Sequence, residues 1–137
     1  MKKLRAGIIG GAGYTGGELV RILLQHDGVE LAYVQSRSQA GKPLYSVHRD
    51  LISETEMKFT NDPALNRDPS LDVVFLAVPH GEAKTVVLEA GISAKTAIID
   101  LSNELRLEGT CHVGEREFVY GLPELYRDRI KSARNIA

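Results

Sequence analysis

The feature that most constrains this chain is a short apolar segment that runs directly into a cluster of glycines. Residues Leu4 to Ile9 have the composition of a buried strand, glycines follow at positions 10, 11, 13 and 16, and a segment with helical spacing of apolar residues comes next. A glycine turn lets the backbone approach a phosphate, whose charge then faces the free N–H groups at the start of the helix. The arrangement predicts a dinucleotide-binding turn in an α/β domain.

The glycines of this turn can be aligned in two registers. A literal G-x-G-x-x-G begins at Gly11, whereas Gly10, Gly13 and Gly16 lie at intervals of three. We favour the second register because Gly10 directly follows the strand, where the tight turn has to begin. The predicted cofactor contacts in the turn are Gly10, Gly13, Tyr14, Thr15 and Gly16. The alternative is a glycine-rich turn that binds no ligand.

Apolar strands alternate with helical segments along the rest of the chain. The pattern predicts strands at Glu30–Gln35, Met57–Thr60, Val73–Val78 and Thr96–Asp100, and helices at Gly16–Gln25, Gly81–Gly91 and Glu124–Arg134. Residues 36–61 have no sustained period and are interpreted as a loop with one short helix around Tyr45–Leu51. Strands that are apolar on every residue are typical of a parallel sheet covered on both faces. We therefore expect one α/β domain over residues 1–137, a Rossmann-type doubly wound parallel sheet.

Composition and charge argue against several other classes of protein. With 43% apolar and 26% charged residues and a formal net charge of −1, the chain has no bulk attraction to nucleic acid or to an anionic membrane. The single cysteine, Cys111, excludes an intrachain disulfide and is interpreted as an incidental loop thiol. The histidines lack metal-ligand spacing, so no metal site is predicted. We expect a cytoplasmic protein with neither a nucleic-acid nor a membrane partner.

The end of the second strand indicates which dinucleotide is bound. An NAD site usually places Asp or Glu there, about 20 residues after the turn, to bind the ribose hydroxyls. This chain has Ser36, Arg37 and Ser38 at that place and Lys42 a little further on. The guanidinium of Arg37 is suited to bidentate binding of a 2′-phosphate. These residues predict NADP, and the alternative is a solvated basic loop.

Two later strand ends carry further candidates, because this fold binds ligands at the carboxyl ends of its strands. Ala77, Pro79 and His80 are predicted to lie beside the nicotinamide ribose, with His80 lining the cofactor channel or facing water. In the stretch from Asp100 to Arg106, the Ser102 hydroxyl and the Arg106 guanidinium could hold an anionic substrate group. A capped, solvated loop is the alternative for that stretch.

Four stretches, GGAGYTGGEL, FLAVPHGEA, IIDLSNELRL and FVYGLPEL, occur in the order seen in N-acetyl-γ-glutamyl-phosphate reductases, which the chain resembles. The resemblance is patchier from Arg37 to Leu71. The family more often has Asp-Phe-Arg where this chain has Glu104-Leu105-Arg106. The resemblance implies an NADP-dependent enzyme of arginine biosynthesis that reduces an acyl phosphate to a semialdehyde. It also implies that Ser102 and Arg106 contact the substrate phosphate.

In that family a cysteine attacks the acyl phosphate, and the resulting thioester accepts hydride from NADPH. The resemblance implies that this cysteine comes just beyond Ala137, so no catalytic residue is expected within the chain, which alone should be inactive. It implies two partners, the C-terminal part of the same enzyme and further copies in a homo-oligomer. The last strand, begun at Asn135, is accordingly expected to be cut off, with backbone groups that lack partners.

Other functions are compatible with the same residues. Aspartate- and aminoadipate-semialdehyde dehydrogenases would keep the architecture and change the acyl chain of the substrate. A stand-alone NADP-binding regulatory module is a third possibility. The sequence alone does not discriminate between the acyl chains.

Overall fold

The computed structural model describes all of residues 1–137 and contains one eight-stranded sheet with three α-helices. The strands are β1 (Leu4–Ile9), β2 (Val29–Gln35), β3 (Phe59–Thr60), β4 (Val73–Leu76), β5 (Ala97–Asp100), β6 (His112–Val113), β7 (Arg116–Val119) and β8 (Asn135–Ile136). The helices are α1 (Tyr14–Leu24), α2 (Ala83–Glu89) and α3 (Pro123–Ser132). The strand order is β3-β2-β1-β4-β5-β8-β7-β6, and every pair except β6–β7 is parallel. The predicted doubly wound parallel sheet is confirmed.

The sheet has an apolar core on each face, because successive side chains of a strand point to opposite sides. On one face the core includes Val20 and Leu23 of α1, packed with Ile8. On the other face Val74 and Ile98 belong to a second core. None of the three helices has the length and apolar character that crossing a membrane requires.

Several elements differ in extent from their predictions. Strand β4 ends at Leu76 and α2 begins at Ala83, because Pro79 and Gly81 (φ +89°) occupy the connection. The aperiodic segment holds two single-turn 3₁₀ helices, Leu44–Ser46 and Arg49–Leu51, where one short helix was predicted. The β6–β7 hairpin was not predicted, and its turn contains Gly114 at φ +58°.

The expectation that the last strand lacks backbone partners is wrong. Asn135 of β8 is aligned with Ile98 of β5 on one side and with Phe118 of β7 on the other. The N–H of Ala137 donates to the carbonyl of Val119 at 3.0 Å. The unpredicted hairpin supplies the missing neighbour, so β8 is a central strand.

The side chain of Arg116 joins the two parts of the sheet. Its guanidinium donates to the carbonyls of Thr96 (3.0 Å), Ile92 (3.2 Å) and Ser93 (2.6 Å), and to Oδ1 of Asn135 (2.8 Å). Burial lowers the pKa of Arg116, and the neighbouring charge of Arg134 lowers it further. The half-buried guanidinium of Arg116 thus provides hydrogen bonds to three carbonyls that precede β5 in the chain. It also holds the side chain of Asn135, the first residue of β8.

Removing the Tyr33 hydroxyl is expected to destabilise the fold. That hydroxyl donates to Oδ1 of buried Asn66 at 2.6 Å, and burial raises the pKa of Tyr33, so the phenol stays a neutral donor. Tyr33→Phe leaves a buried acceptor without its partner and should lower the free energy of unfolding by about 1–2 kcal/mol. Urea denaturation measures this, with Tyr45→Phe as the control because the Tyr45 hydroxyl has no hydrogen-bond partner in the protein. Equal losses in the two variants would contradict the prediction.

Candidate functional site

The turn between β1 and α1 requires glycine at more than one position. Gly10 has φ +88°, and a Cβ there would lie 2.5 Å from the carbonyl oxygen of Ala77. A Cβ at Gly16 would lie 2.7 Å from Cα of Gly11, so α1 packs directly against the turn. A Cβ at Gly11 would lie 2.1 Å from Cγ1 of Val34. The structure therefore needs the first glycine of both registers, Gly10 for its backbone conformation and Gly11 for its contact with β2.

The start of α1 has free hydrogen-bond donors. Gly13 is the N-cap and makes no side-chain cap, and the first turn contains no acidic residue. The N–H groups of Tyr14, Thr15 and Gly16 donate to no group of the protein. A Cβ at Gly13 would meet nothing within 4 Å, so this side of the turn is open. Free amides at the positive end of an 11-residue helix fit the pyrophosphate of a dinucleotide.

The end of β2 lies against this turn. The carbonyl of Gln35 accepts hydrogen bonds from the N–H groups of Gly10 (3.0 Å) and Gly11 (2.9 Å). The next residue, Ser36, is buried, and its N–H donates to the carbonyl of Thr60 at 2.9 Å. Residues that follow Ser36 therefore start beside the glycine turn.

Arg37 is the free cation at this strand end. Arg37 and Ser38 are exposed, and the guanidinium takes part in no hydrogen bond or ion pair of the protein. Lys42 is also exposed, and its Nζ donates to Oε1 of Gln39 at 3.2 Å. Residues 36–42 contain no carboxylate that would repel a phosphate.

The predicted nicotinamide-side residues follow β4. The N–H of Ala77 donates to the carbonyl of Ile9 at 2.8 Å, which places it beside the glycine turn. Pro79 and His80 are exposed. Nδ1 of His80 accepts the N–H of Asn103 at 3.2 Å, so the neutral ring carries its proton on Nε2. This contact brings the ends of β4 and β5 together.

Ser102 lies at the end of β5 with an internal partner. The residue is 1% exposed, its hydroxyl donates to Oδ2 of Asp100 at 2.8 Å, and its N–H donates to Oδ1 at 3.0 Å. Contact between Ser102 and a substrate phosphate stays a prediction, and it would require the hydroxyl to leave Asp100. In the same loop, Oε2 of Glu104 accepts the N–H of Lys84 at 3.2 Å and so caps α2.

Arg106 has an unused donor and lies over one aromatic ring. Its Nε is buried and has no hydrogen-bond partner. Its Cζ lies 5.6 Å from the ring centroid of Tyr120, which stacks on Tyr126 at 6.2 Å, and Arg129 lies 5.6 Å over Tyr126. Non-helical backbone angles at Tyr126 (φ −124°, ψ 21°) kink α3 at this stack. A guanidinium that lies over an aromatic ring and has an unpaired donor is suited to an anionic ligand.

Two residues have positions that the sequence did not indicate. Cys111 lies in the loop before β6, as interpreted, but it is buried in the core, with Sγ 3.3 Å from Nδ1 of His112. His48 is buried, and its Nε2 lies 2.7 Å from the carbonyl oxygen of Gly11. The one sequence signal for this contact is Gly17, an extra glycine that lies inside α1 and is absent from both registers.

The candidate site is an open edge of the sheet. Two surface depressions, of about 300 and 440 Å³, lie elsewhere, one beside α3 and the other at the amino ends of β1, β4 and β5. Neither contains a residue of the glycine turn, and the turn's free donors are the stronger indication of a ligand site. No group of three or more His, Cys, Asp or Glu side chains is arranged to hold a metal ion.

Comparisons with known proteins agree with this geometry. The family model described as semialdehyde dehydrogenase, NAD binding domain, matches residues 5–133. An N-acetyl-gamma-glutamyl-phosphate reductase of Christiangramia forsetii is 51% identical over 134 residues, which are 98% of this chain and 39% of that protein. The same enzyme of Flavobacterium johnsoniae is 43% identical over 134 residues, 98% of this chain and 40% of that protein. The chain thus spans about two fifths of the length of these relatives.

Solved structures support the fold. The aspartate semialdehyde dehydrogenase of Candida albicans, solved with NADP, has a TM-score of 0.64 at 15% identity over 98% of this chain and 42% of that one. A Rex-family repressor, RSP, has a TM-score of 0.55 at 17% identity over 80% of this chain and 50% of that one. Enzymes and a repressor thus share the architecture, and the sequence match identifies the family. The chain belongs to the family of semialdehyde dehydrogenase NAD-binding domains.

Proposed function

We propose that this chain is the NADP-binding part of an N-acetyl-γ-glutamyl-phosphate reductase, an enzyme of arginine biosynthesis that reduces an acyl phosphate to a semialdehyde with NADPH. The observation that carries the proposal is 51% identity to such a reductase over 98% of the chain. The open glycine turn gives this similarity a physical basis, because its free amides fit a pyrophosphate. The proposed substrate is a small acyl phosphate, and the proposed partners are the rest of the enzyme and further copies of it.

Each strand end has a role in this proposal. The turn amides from Gly13 to Gly16 bind the pyrophosphate, and the missing β-carbons let it approach. Arg37 binds the 2′-phosphate, with Ser36, Ser38 and Lys42 beside it. Ala77, Pro79 and His80 line the nicotinamide side. NADPH supplies the hydride when bound, and these residues hold and orient the cofactor.

The substrate side of the proposal rests on Arg106, with Ser102 as a second candidate contact. The Arg106 guanidinium, whose Nε has no partner, has the charge and the free donor that the phosphate of an acyl phosphate requires. Cys111, the chain's single thiol, is buried with Sγ within 3.3 Å of the Glu108 carbonyl. We therefore do not assign it the covalent step, and we place the nucleophilic cysteine outside residues 1–137.

Replacing Arg37 tests the choice of NADP over NAD. Charge-assisted hydrogen bonds contribute roughly 1.5–3 kcal/mol, so Arg37→Ala should weaken NADPH binding by roughly 10- to 100-fold. NADH lacks the 2′-phosphate, and its affinity should change less than about threefold. Fluorescence titration of the reduced nicotinamide measures both affinities. Lys3→Ala is the control, because it removes an exposed cation at the amino end of β1, the end opposite the glycine turn.

Equal losses for NADPH and NADH in Arg37→Ala would contradict the NADP assignment. The activity is tested separately on the full-length protein with N-acetyl-γ-glutamyl phosphate and NADPH. Aspartyl phosphate and the one-carbon-longer aminoadipyl phosphate serve as competing substrates. A preference for either of these would overturn the assigned substrate and leave the dinucleotide site in place.

A further inference from the structure

A buried histidine forms a hydrogen bond with the backbone of the glycine turn. His48 lies between the two 3₁₀ helices Leu44–Ser46 and Arg49–Leu51, and it is 7% exposed. Its Nε2 lies 2.7 Å from the carbonyl oxygen of Gly11. A carbonyl only accepts, so Nε2 carries the proton and donates to Gly11.

Helix α1 leaves room for this imidazole. A Cβ at Gly17 would lie 2.5 Å from both Cε1 and Nδ1 of His48, so the ring occupies the space that any other residue at position 17 would fill. The ring of Phe59 in β3 is tilted by 57° against the imidazole at a centroid distance of 6.1 Å. Glycine lowers the stability of a helix interior, and here it permits the approach of His48.

An ion pair anchors the same segment to α1. Nη2 of Arg21 lies 2.7 Å from Oδ1 of Asp50, and Nε of Arg21 contacts the other carboxylate oxygen. The Arg21 guanidinium holds the pKa of Asp50 to about 2, so the pair is ionised at neutral pH. The segment that carries His48 is thus attached to the helix that begins at the turn.

The hydrogen bond determines where the next amide points. The N–H of Gly11 donates to the carbonyl of Gln35 at 2.9 Å, and its C=O accepts from His48, so this residue is held from two sides. The Gly11–Ala12 peptide is planar and trans, so the N–H of Ala12 points away from the Gly11 carbonyl and from His48. That N–H donates to no backbone or side-chain acceptor of the protein.

We propose that His48 is a positioning residue for the dinucleotide: by holding the Gly11 carbonyl, it directs the N–H of Ala12 toward the pyrophosphate. The proposal rests on the proposed function, because it takes a pyrophosphate as the occupant of the turn. His48 itself touches no ligand. Its contribution is the orientation of one peptide group.

Two substitutions separate the donor from the bulk of the ring. His48→Gln places an amide N–H₂ where Nε2 now donates, whereas His48→Leu fills similar space without a donor. NADPH affinity, measured by fluorescence titration of the full-length protein, should fall roughly tenfold in His48→Leu and stay within about threefold in His48→Gln. Adenosine 2′-phosphate is the control ligand, because it carries the 2′-phosphate without the pyrophosphate. Its affinity should be the same in all three proteins.

The outcomes distinguish this proposal from the function on which it rests. NADPH binding by His48→Leu at the wild-type affinity would overturn the proposal, as would a loss in His48→Gln equal to that in His48→Leu. A parallel loss of NADPH and adenosine 2′-phosphate would overturn it too, because it would indicate general damage to the site. A wild-type protein that binds neither NADPH nor NADH would overturn the proposed function itself.

Discussion

Replacing Gly10 by alanine should weaken NADPH binding by roughly 100-fold and lower the free energy of unfolding by about 2–3 kcal/mol. Two effects combine at this position. Gly10 has φ +88°, where a β-carbon costs about 1–2 kcal/mol, and that carbon would lie 2.5 Å from the backbone oxygen of Ala77. Backbone cannot rotate aside as a flexible side chain can, so the turn itself has to shift. A shifted turn no longer presents its amides to a phosphate.

Two matched alanine variants separate these effects. Gly41 has φ +84°, and nothing lies within 4 Å of an added Cβ. Gly41→Ala therefore introduces the backbone strain without a steric overlap with neighbouring backbone. Gly13 has φ −80°, and an added Cβ would point into the open side of the turn. Gly13→Ala should therefore reduce NADPH affinity with an unfolding free energy within about 1 kcal/mol of the wild type. Fluorescence titration and urea denaturation measure the two quantities, and wild-type affinity in Gly10→Ala would contradict the prediction.

Replacing Arg116 by methionine should lower the free energy of unfolding by about 3 kcal/mol. The guanidinium donates to three carbonyls and to Oδ1 of Asn135, and methionine fills similar volume without a donor. The carbonyls of Ile92, Ser93 and Thr96 would then lose a charged partner that water replaces only in part. The matched control is Arg127→Met, because Arg127 is exposed and forms no ion pair or hydrogen bond. Urea denaturation of both variants is the measurement, and equal losses would contradict the role of Arg116.

The β1–α1 unit could be predicted because its signals are local. Leu4–Ile9 are contiguous, the glycines follow at once, and the apolar residues of α1 repeat with the helical period. The same holds for the apolar cores of β4 and β5. The preference for Gly10 as the start of the turn rested on the position of the tight bend, and the positive φ at Gly10 agrees with it.

The hairpin and the position of β8 could not be predicted, because tertiary partners stabilise these short strands. Strands β6 and β8 have two residues each, too few for any period to be visible. Arg116 and Asn135 are polar, and a polar residue in a sequence is ordinarily predicted to be exposed to solvent. Instead, Asn135 is buried and Arg116 is half-buried, and a hydrogen bond of 2.8 Å joins them.

The positions of the candidate site residues could be predicted where they follow from strand order, and could not where they depend on the direction of a side chain. Ala77 and Gln35, at the ends of β4 and β2, do lie beside the glycine turn, as parallel topology requires. The hydroxyl of Ser102 donates to the carboxylate of Asp100, and the residue type alone does not indicate that partner. His48 is 37 positions from Gly11 in an aperiodic segment, so no spacing rule connects the two.

The placement of β8 has a consequence for how the sheet assembles. The β6–β7 hairpin precedes β8 in the chain, yet its strands pair with the rest of the sheet only through this two-residue strand. The hairpin can form early from neighbouring residues, but it joins the sheet only after the chain has passed through α3 and returned. In native-state hydrogen exchange, detachment of β8 should release β6, β7 and α3 together as one cooperative unit, while β1 to β5 remain protected.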